Sequence, residues 1–150
     1  MTQFEPKDPD FERRVRESFG RQRFMGTIGA RLSRLAPGEV DIELPITDAL
    51  TQQHGFLHAG ALATVADSAC GYAALSLMPA GAAVLSIEFK INMLAPAAGH
   101  SVVAQGRVIR SGKTITVCRA DVIARSGDGE KLVASMVGTM MTVEGRGLTD

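Results

Sequence analysis

Residues 54–74 read HGFLHAGALATVADSACGYAA, a stretch rich in alanine and glycine. Asp67 is the only formally charged side chain between Asp48 and Glu88. An unpaired carboxylate is expensive to bury, so one set in so apolar a segment marks a reactive site or an ion pair. In a partly dry cleft its pKa rises, and it can accept a proton from water as a general base. It can also attack a carbonyl carbon directly and form an anhydride. The bland reading of Asp67 is a carboxylate that caps a neighbour or faces solvent.

The residues just before Asp67 suit a carbonyl substrate. Ala59 and Gly60 fall near the predicted start of a helix, where the first amides lack intrahelical acceptors and carry the positive end of the dipole. Small side chains there let a carbonyl oxygen come close, and the amides would stabilise the charge it gains in a tetrahedral transition state. Losing one such donor costs on the order of 3 kcal/mol of barrier. The same small residues would also serve packing alone. His58, at the helix start, reads as a capping or core histidine that holds the preceding loop. His54 and His58 stand at i,i+4, a metal-compatible spacing, but no third ligand follows nearby. Gln52, with Gln53 beside it, could hold water or a carbonyl by hydrogen bonds or be a plain loop glutamine, and Ser86 reads as an exposed serine on the polar face of the next strand.

These groups need a scaffold, and the hydrophobic pattern supplies one. Residues 9–24 place Phe11, Val15, Ser18, Phe19 and Gln22 on one helical face with charges opposite. Met25 to Leu35 reads as a strand, ended by the turn Pro37-Gly38. EVDIELPI alternates Val40, Ile42 and Leu44 with Asp41 and Glu43, a half-buried strand. The apolar central helix is predicted to run to near Met78, stopped by Pro79-Ala80-Gly81. LSIEFKINML alternates Leu85, Ile87, Phe89, Ile91 and Met93 with Ser86, Glu88, Lys90 and Asn92. Three further strands follow, joined at Ser111-Gly112-Lys113 and at residues 126–129. The last residues, GRGLTD, read as a frayed tail. Hairpin-spaced strands imply an antiparallel sheet, and one helix with so little polar surface implies a sheet that curls around it. The fold class is therefore α+β, and residues 1–150 read as one domain, with a helix and tail over 1–24 and a core over 25–143.

Composition narrows the partners. A formal net charge of zero argues against a broad basic surface for nucleic acid. Phe56 to Met78 is long enough to span a bilayer, but Asp67, His58, the glycines and the missing basic flanks argue against a membrane span. Two cysteines, Cys70 and Cys118, form no metal or redox spacing and read as buried thiols of a reducing, cytoplasmic compartment. The polar first ten residues show no secretory pattern.

The motif His58-Ala59-Gly60 followed by Asp67, nine positions after the histidine, resembles that of the hotdog-fold acyl-CoA thioesterases of the phenylacetate-degradation type. The resemblance covers roughly residues 25–143. Gln52 stands where that family usually has asparagine, Ala59 where it usually has a first glycine, and Ser86 matches its strand serine or threonine. The resemblance implies a hotdog fold and hydrolysis of an acyl-CoA by Asp67. The Ala59 and Gly60 amides would bind the oxyanion, with His58 shaping the loop. Gln52 would orient the water, and Ser86, from the partner subunit, would position it opposite Asp67. It further implies sheets paired edge to edge, sites at the dimer interface and dimers assembling into a homotetramer. No separate cofactor is expected, because coenzyme A is part of the substrate. Its phosphates would meet the cationic rim of Arg107, Arg110 and Lys113, with Arg125 near the next turn. The acyl tail would enter an apolar groove of Phe56, Leu57, Leu62, Val65 and strand methionines. Two alternatives remain at this level: an enoyl-thioester hydratase, and an acyl-CoA-binding module without turnover.

Overall fold

The computed structural model describes residues 4–150. Two short helices, α1 (Phe11–Arg21) and α2 (Arg23–Ile28), precede strands β1 (Arg31–Ala36) and β2 (Glu39–Pro45). A 3₁₀ turn at Asp48–Leu50 and a loop lead into the central helix α3 (Ala59–Leu75). Then come β3 (Ala83–Met93), β4 (Ser101–Ser111), β5 (Ile115–Ser126) and β6 (Gly129–Val143). All neighbouring strands are antiparallel, in the order β1-β2-β4-β5-β6-β3, and α3 packs across one face against β2 through β6. The antiparallel sheet around one apolar helix is the expected architecture.

The core follows from strand alternation. Val40, Ile42, Leu44, Val102, Ala104, Cys118, Ala120, Val122, Ala134, Met136 and Met140 are buried beneath α3. From the helix side, Ala66, Ala69, Ala73 and Ala74 are fully buried, so small side chains bring helix and sheet close together. Contact is tightest at Gly106 of β4, where an added Cβ would lie 2.3 Å from the carbonyl oxygen of Ala69. Cys70 of α3 and Cys118 of β5 are buried against each other in this layer, and that contact, with burial, pushes the Cys70 thiol up.

Four expectations change. Met25–Leu35 is not one strand. Residues 23–28 are helical because Gly29, at φ 78°, caps the turn, with its N–H and that of Ala30 bonded back to the Gly26 and Met25 carbonyls. The central helix ends at Leu75, and Leu77 and Met78 continue as tighter turns bonded to Ala74 and Leu75. Ser76 braces that end, donating to the Ala73 carbonyl (2.7 Å) and accepting from Gly38 N–H (2.8 Å). The tail is anchored rather than frayed: the Asp150 carboxylate accepts from Val84 N–H (2.8 Å) and from the Ser18 hydroxyl (3.2 Å).

The fourth change lies in β3. A bulge between Ser86 and Glu88 leaves Ile87 without a partner on β6, and the alternation inverts across it. Ser86, Phe89, Ile91 and Met93 pair with Met140, Gly138, Met136 and Ala134, the helix-side residues of β6. Glu88 and Lys90 pair with Thr139 and Val137 on the opposite face. Ser86 therefore does not share a face with Glu88 and Lys90, as strict alternation predicts.

α1 is held by a feature the charge pattern did not single out. Arg14 is buried, and its guanidinium donates to the carbonyls of Leu75, Met78 and Pro79 at the carboxyl end of α3 and pairs with Asp8 at 3.5 Å. It satisfies acceptors that a helix end otherwise leaves open.

Gly106→Ala is expected to destabilise the fold by roughly 2–4 kcal/mol, because backbone rather than a movable side chain blocks the new methyl. Urea denaturation measures this, and a midpoint equal to wild type would contradict the contact.

Candidate active site

His58 occupies the N-cap of α3 with extended backbone (φ −60°, ψ 138°), and its Nδ1 accepts the Gly60 N–H at 2.8 Å. The histidine is thus a cap, the role usually taken by Ser, Thr, Asp or Asn. An imidazole that accepts at Nδ1 is neutral and carries its proton on Nε2. The bond also accounts for Gly60, since a Cβ there would come within 2.9 Å of His58 Nδ1. It separates the two candidate oxyanion donors. Gly60 N–H is engaged, whereas among the described residues no acceptor meets Ala59 N–H.

Asp67 lies two turns further along, half-exposed on the flank of α3 that faces β3. Ser86 donates its hydroxyl proton to Asp67 Oδ1 at 2.7 Å and also touches Met140 Sδ at 3.3 Å. The bulge in β3 is what aims Ser86 here. Resemblance put Ser86 opposite Asp67 from a partner subunit, but the contact forms within one chain. Burial raises the Asp67 pKa above the ordinary carboxylate value, and the Ser86 bond opposes part of that rise.

Asp67 and Ser86 open onto a chamber of about 110 Å³, completed by Gln22, Ser68, Gly71, Tyr72, Val84 and Asp150. Gln22, Tyr72 and Asp150 were not anticipated. Tyr72, the only tyrosine in the chain, is the one with a readable signal, lying on the same helix five residues after Asp67. Gln22 and Asp150 arrive from opposite ends of the chain, and no local pattern points to them.

Ala59 lies elsewhere, in an open groove of about 390 Å³ with Gln52, Phe56, Leu57, Leu62, Met93 and Leu94. Gln52, not Gln53, is the amide beside Ala59, and its Oε1 accepts from His54 N–H. Val65, expected to line this groove, is fully buried in the core. The eight residues from Ala59 to Asp67 span about 12 Å along the helix axis at a rise of about 1.5 Å per residue. Reacting atoms must approach to about 3–3.5 Å. A carbonyl held at Ala59 is therefore out of reach of Asp67 in the same chain.

The expected cationic rim is only partly free. Arg107 pairs with Asp41 at 2.6 Å and lies 4.0 Å from Glu39, bracing β2 against β4. Arg110 and Lys113 are exposed at the β4–β5 hairpin and form no ion pair among the described residues. The row Ser111–Thr116–Met140–Ser86 across the sheet sets this hairpin at the Ser86 end of β3. No cluster of three metal-ligating side chains occurs among the described residues, and no helix there is long and apolar enough to cross a membrane.

Two substitutions check these contacts. Gly60→Ala should displace the His58 ring and cost about 1 kcal/mol, the usual worth of a lost N-cap, in chemical denaturation. Asp67→Asn keeps the acceptor for Ser86 and removes a charge that burial disfavours. A folded-state pKa above the unfolded value means that the folded form binds the extra proton, so wild-type stability falls as pH rises between the two. The variant should therefore melt above wild type at pH 7, with the gap closing below the ordinary carboxylate pKa. A gap that persists unchanged in acid would contradict this.

Residues 54–131 match the family model described as the thioesterase superfamily. The chain is 31% identical over 102 residues to acyl-coenzyme A thioesterase 13 of Homo sapiens, covering 67% of this chain and 71% of that protein. Among solved structures it is similar to a thioesterase family protein from Silicibacter pomeroyi, with TM-score 0.89 and 49% identity over 90% of this chain and 99% of that one. The E. coli PaaI protein of the phenylacetic acid degradation operon matches the fold with TM-score 0.81 at 20% identity, over 91% and 95% of the two chains. The six-stranded antiparallel sheet packed on one long helix agrees with these comparisons, and the chain belongs to the thioesterase superfamily with the hotdog fold.

Proposed function

We propose that the protein hydrolyses acyl-CoA thioesters at a site that two copies of the chain complete. The observation that carries this is the separation of Ala59 N–H from Asp67 along one helix, together with the free edge of β3. Ser86 sits near the start of β3 and Met93 at its end, beside the Ala59 groove. The outer edge of β3 has no neighbour among the described residues, and Leu85, Ile87, Phe89, Met93 and Leu94 are exposed along it. Antiparallel pairing of two β3 edges about a two-fold axis near Phe89 would bring the Ser86 end of one copy to the Met93 end of the other. Asp67 would then face the partner's Ala59 in two equivalent sites. It would also cover an edge that otherwise invites uncontrolled pairing. Pairing of dimers into a homotetramer extends this reading.

In the reaction, Ala59 N–H at the helix amino end receives the thioester oxygen, while Gly60 N–H stays on His58. Asp67, its Oδ1 held by Ser86, takes a proton from water through its other oxygen as the hydroxyl oxygen bonds to the carbonyl carbon. The tetrahedral oxyanion collapses with cleavage of the C–S bond. Asp67 returns the proton to the departing sulfur, leaving a free acid and coenzyme A. A raised pKa suits a group that must hold and then release that proton. Gln52 lies beside the carbonyl and can bond to the thioester or the water. Arg110 and Lys113 are the basic groups free to meet CoA phosphates, and Arg107, already paired, is not. The reaction draws on water, side chains and the Ala59 backbone amide, and buried thiols fit a cytoplasmic setting.

Thiol release from a panel of acyl-CoA esters tests this. Asp67→Asn should lower kcat by roughly 10²–10⁴-fold, the usual worth of a general base. Phe89→Glu would set two like charges against each other at the two-fold, and should yield an inactive monomer by light scattering. Water addition to an enoyl-CoA without thiol release, or an active monomer, would overturn the proposal.

A further inference from the structure

The chamber beyond Asp67 differs from the groove beside Ala59 in size, polarity and closure. The groove is open, apolar and about 390 Å³. The chamber is about 110 Å³ and polar. Across it the Asp150 carboxylate bridges Val84 N–H on β3 and the Ser18 hydroxyl on α1, and that hydroxyl lies 3.3 Å from the Tyr72 hydroxyl. α1 is in turn clamped onto the end of α3 by Arg14. The far wall is therefore built from the tail and the first helix.

A thioester has two arms, and the small, polar, half-open chamber suits only one of them. The coenzyme A arm is long, carries phosphates and must lead out to solvent, which the groove permits. The chamber would present it with a wall and with two carboxylates, Asp67 and Asp150, and no cation among its lining residues. The acyl arm is the one that can end there. The chamber has less than a third of the groove's volume, so it suits the end of a short acyl group better than a long one. Resting on the thioesterase reading above, we infer that the preferred acyl group is short and carries no negative charge, because its distal end lies in the small chamber lined by Asp150 and Tyr72. This assigns Asp150 as a specificity-determining residue. A carboxylate at the end of the acyl group would meet that of Asp150 in a half-buried space, where like charges repel strongly.

Butyryl-CoA and succinyl-CoA both carry four-carbon acyl chains, with a terminal carboxylate in succinyl where butyryl has a methyl; 4-methylpentanoyl-CoA matches succinyl in shape without its charge and should behave like butyryl, and hexanoyl-CoA is longer and neutral. Wild type should show kcat/KM for butyryl-CoA on the order of 10²-fold or more above succinyl-CoA. Asp150→Asn keeps an acceptor for Val84 N–H and removes the charge. It should cut that ratio at least about tenfold, chiefly by raising kcat/KM for succinyl-CoA. Asp150→Ala should also raise hexanoyl relative to butyryl turnover about tenfold by opening the wall. Equal wild-type rates on succinyl and butyryl esters, or ratios unchanged in Asp150→Asn while thiol is still released, would overturn the inference. Absence of thiol release from every ester would instead overturn the thioesterase reading on which it rests. The charge comparison needs only the conservative Asp150→Asn variant, so misfolding of Asp150→Ala leaves it decisive.

Discussion

The structure depends on how closely α3 can lie on the sheet. At Gly106 the helix backbone sits where a side chain would otherwise stand. That contact is possible because β4 has no Cβ there and the facing helix residues are alanines. Close approach buries the carboxyl half of α3 on nearly every side. The amino half, with Ala59 and Gly60 exposed and Asp67 on the flank, stays at the rim of the sheet. The reactive groups are therefore carried by a rigid element without being sealed within it. Preorganisation of this kind is what electrostatic stabilisation of a transition state requires.

The rim is then tuned by contacts that are individually ordinary. His58 consumes Gly60 N–H and leaves Ala59 N–H open. One extra residue in β3 turns Ser86 from the outer face toward Asp67. Burial makes the carboxylate more basic, and the Ser86 bond keeps one of its oxygens in place. Removing the bulge would leave every side chain the same and point the serine away from the acid. The geometry around Asp67 is thus a matter of register as much as of residue type.

The same layout underlies the proposed two-copy site. The polar chamber at Asp67 and the apolar groove at Ala59 lie at opposite ends of β3, and both border its unpaired edge. A two-fold operation on that edge exchanges the ends. On that proposal a single exposed strand would serve both assembly and catalysis.

Much of this was legible in the sequence. Alternation in β2 and the strands after α3, the apolar helix and the hairpin turns specify an antiparallel sheet around a helix, because each signal depends only on neighbours within a few residues. Asp67 stood out for the same reason, as a charge where its surroundings are apolar, and His58 was readable as a cap by its position. What tertiary structure alone decided depends on residues far apart in the chain. A bulge exists only relative to a partner strand, so the turn of Ser86 could not be read from LSIEFKINML. The burial of Arg14, the pairing of Arg107 with Asp41 and the anchoring of Asp150 on Ser18 and Val84 each join groups more than sixty residues apart. Sequence determined which elements form and which residues are candidates for the chemistry, since these follow from local pattern. Which face each residue presents, which amide is left free and what closes the chamber followed from packing, because those are properties of the space between elements.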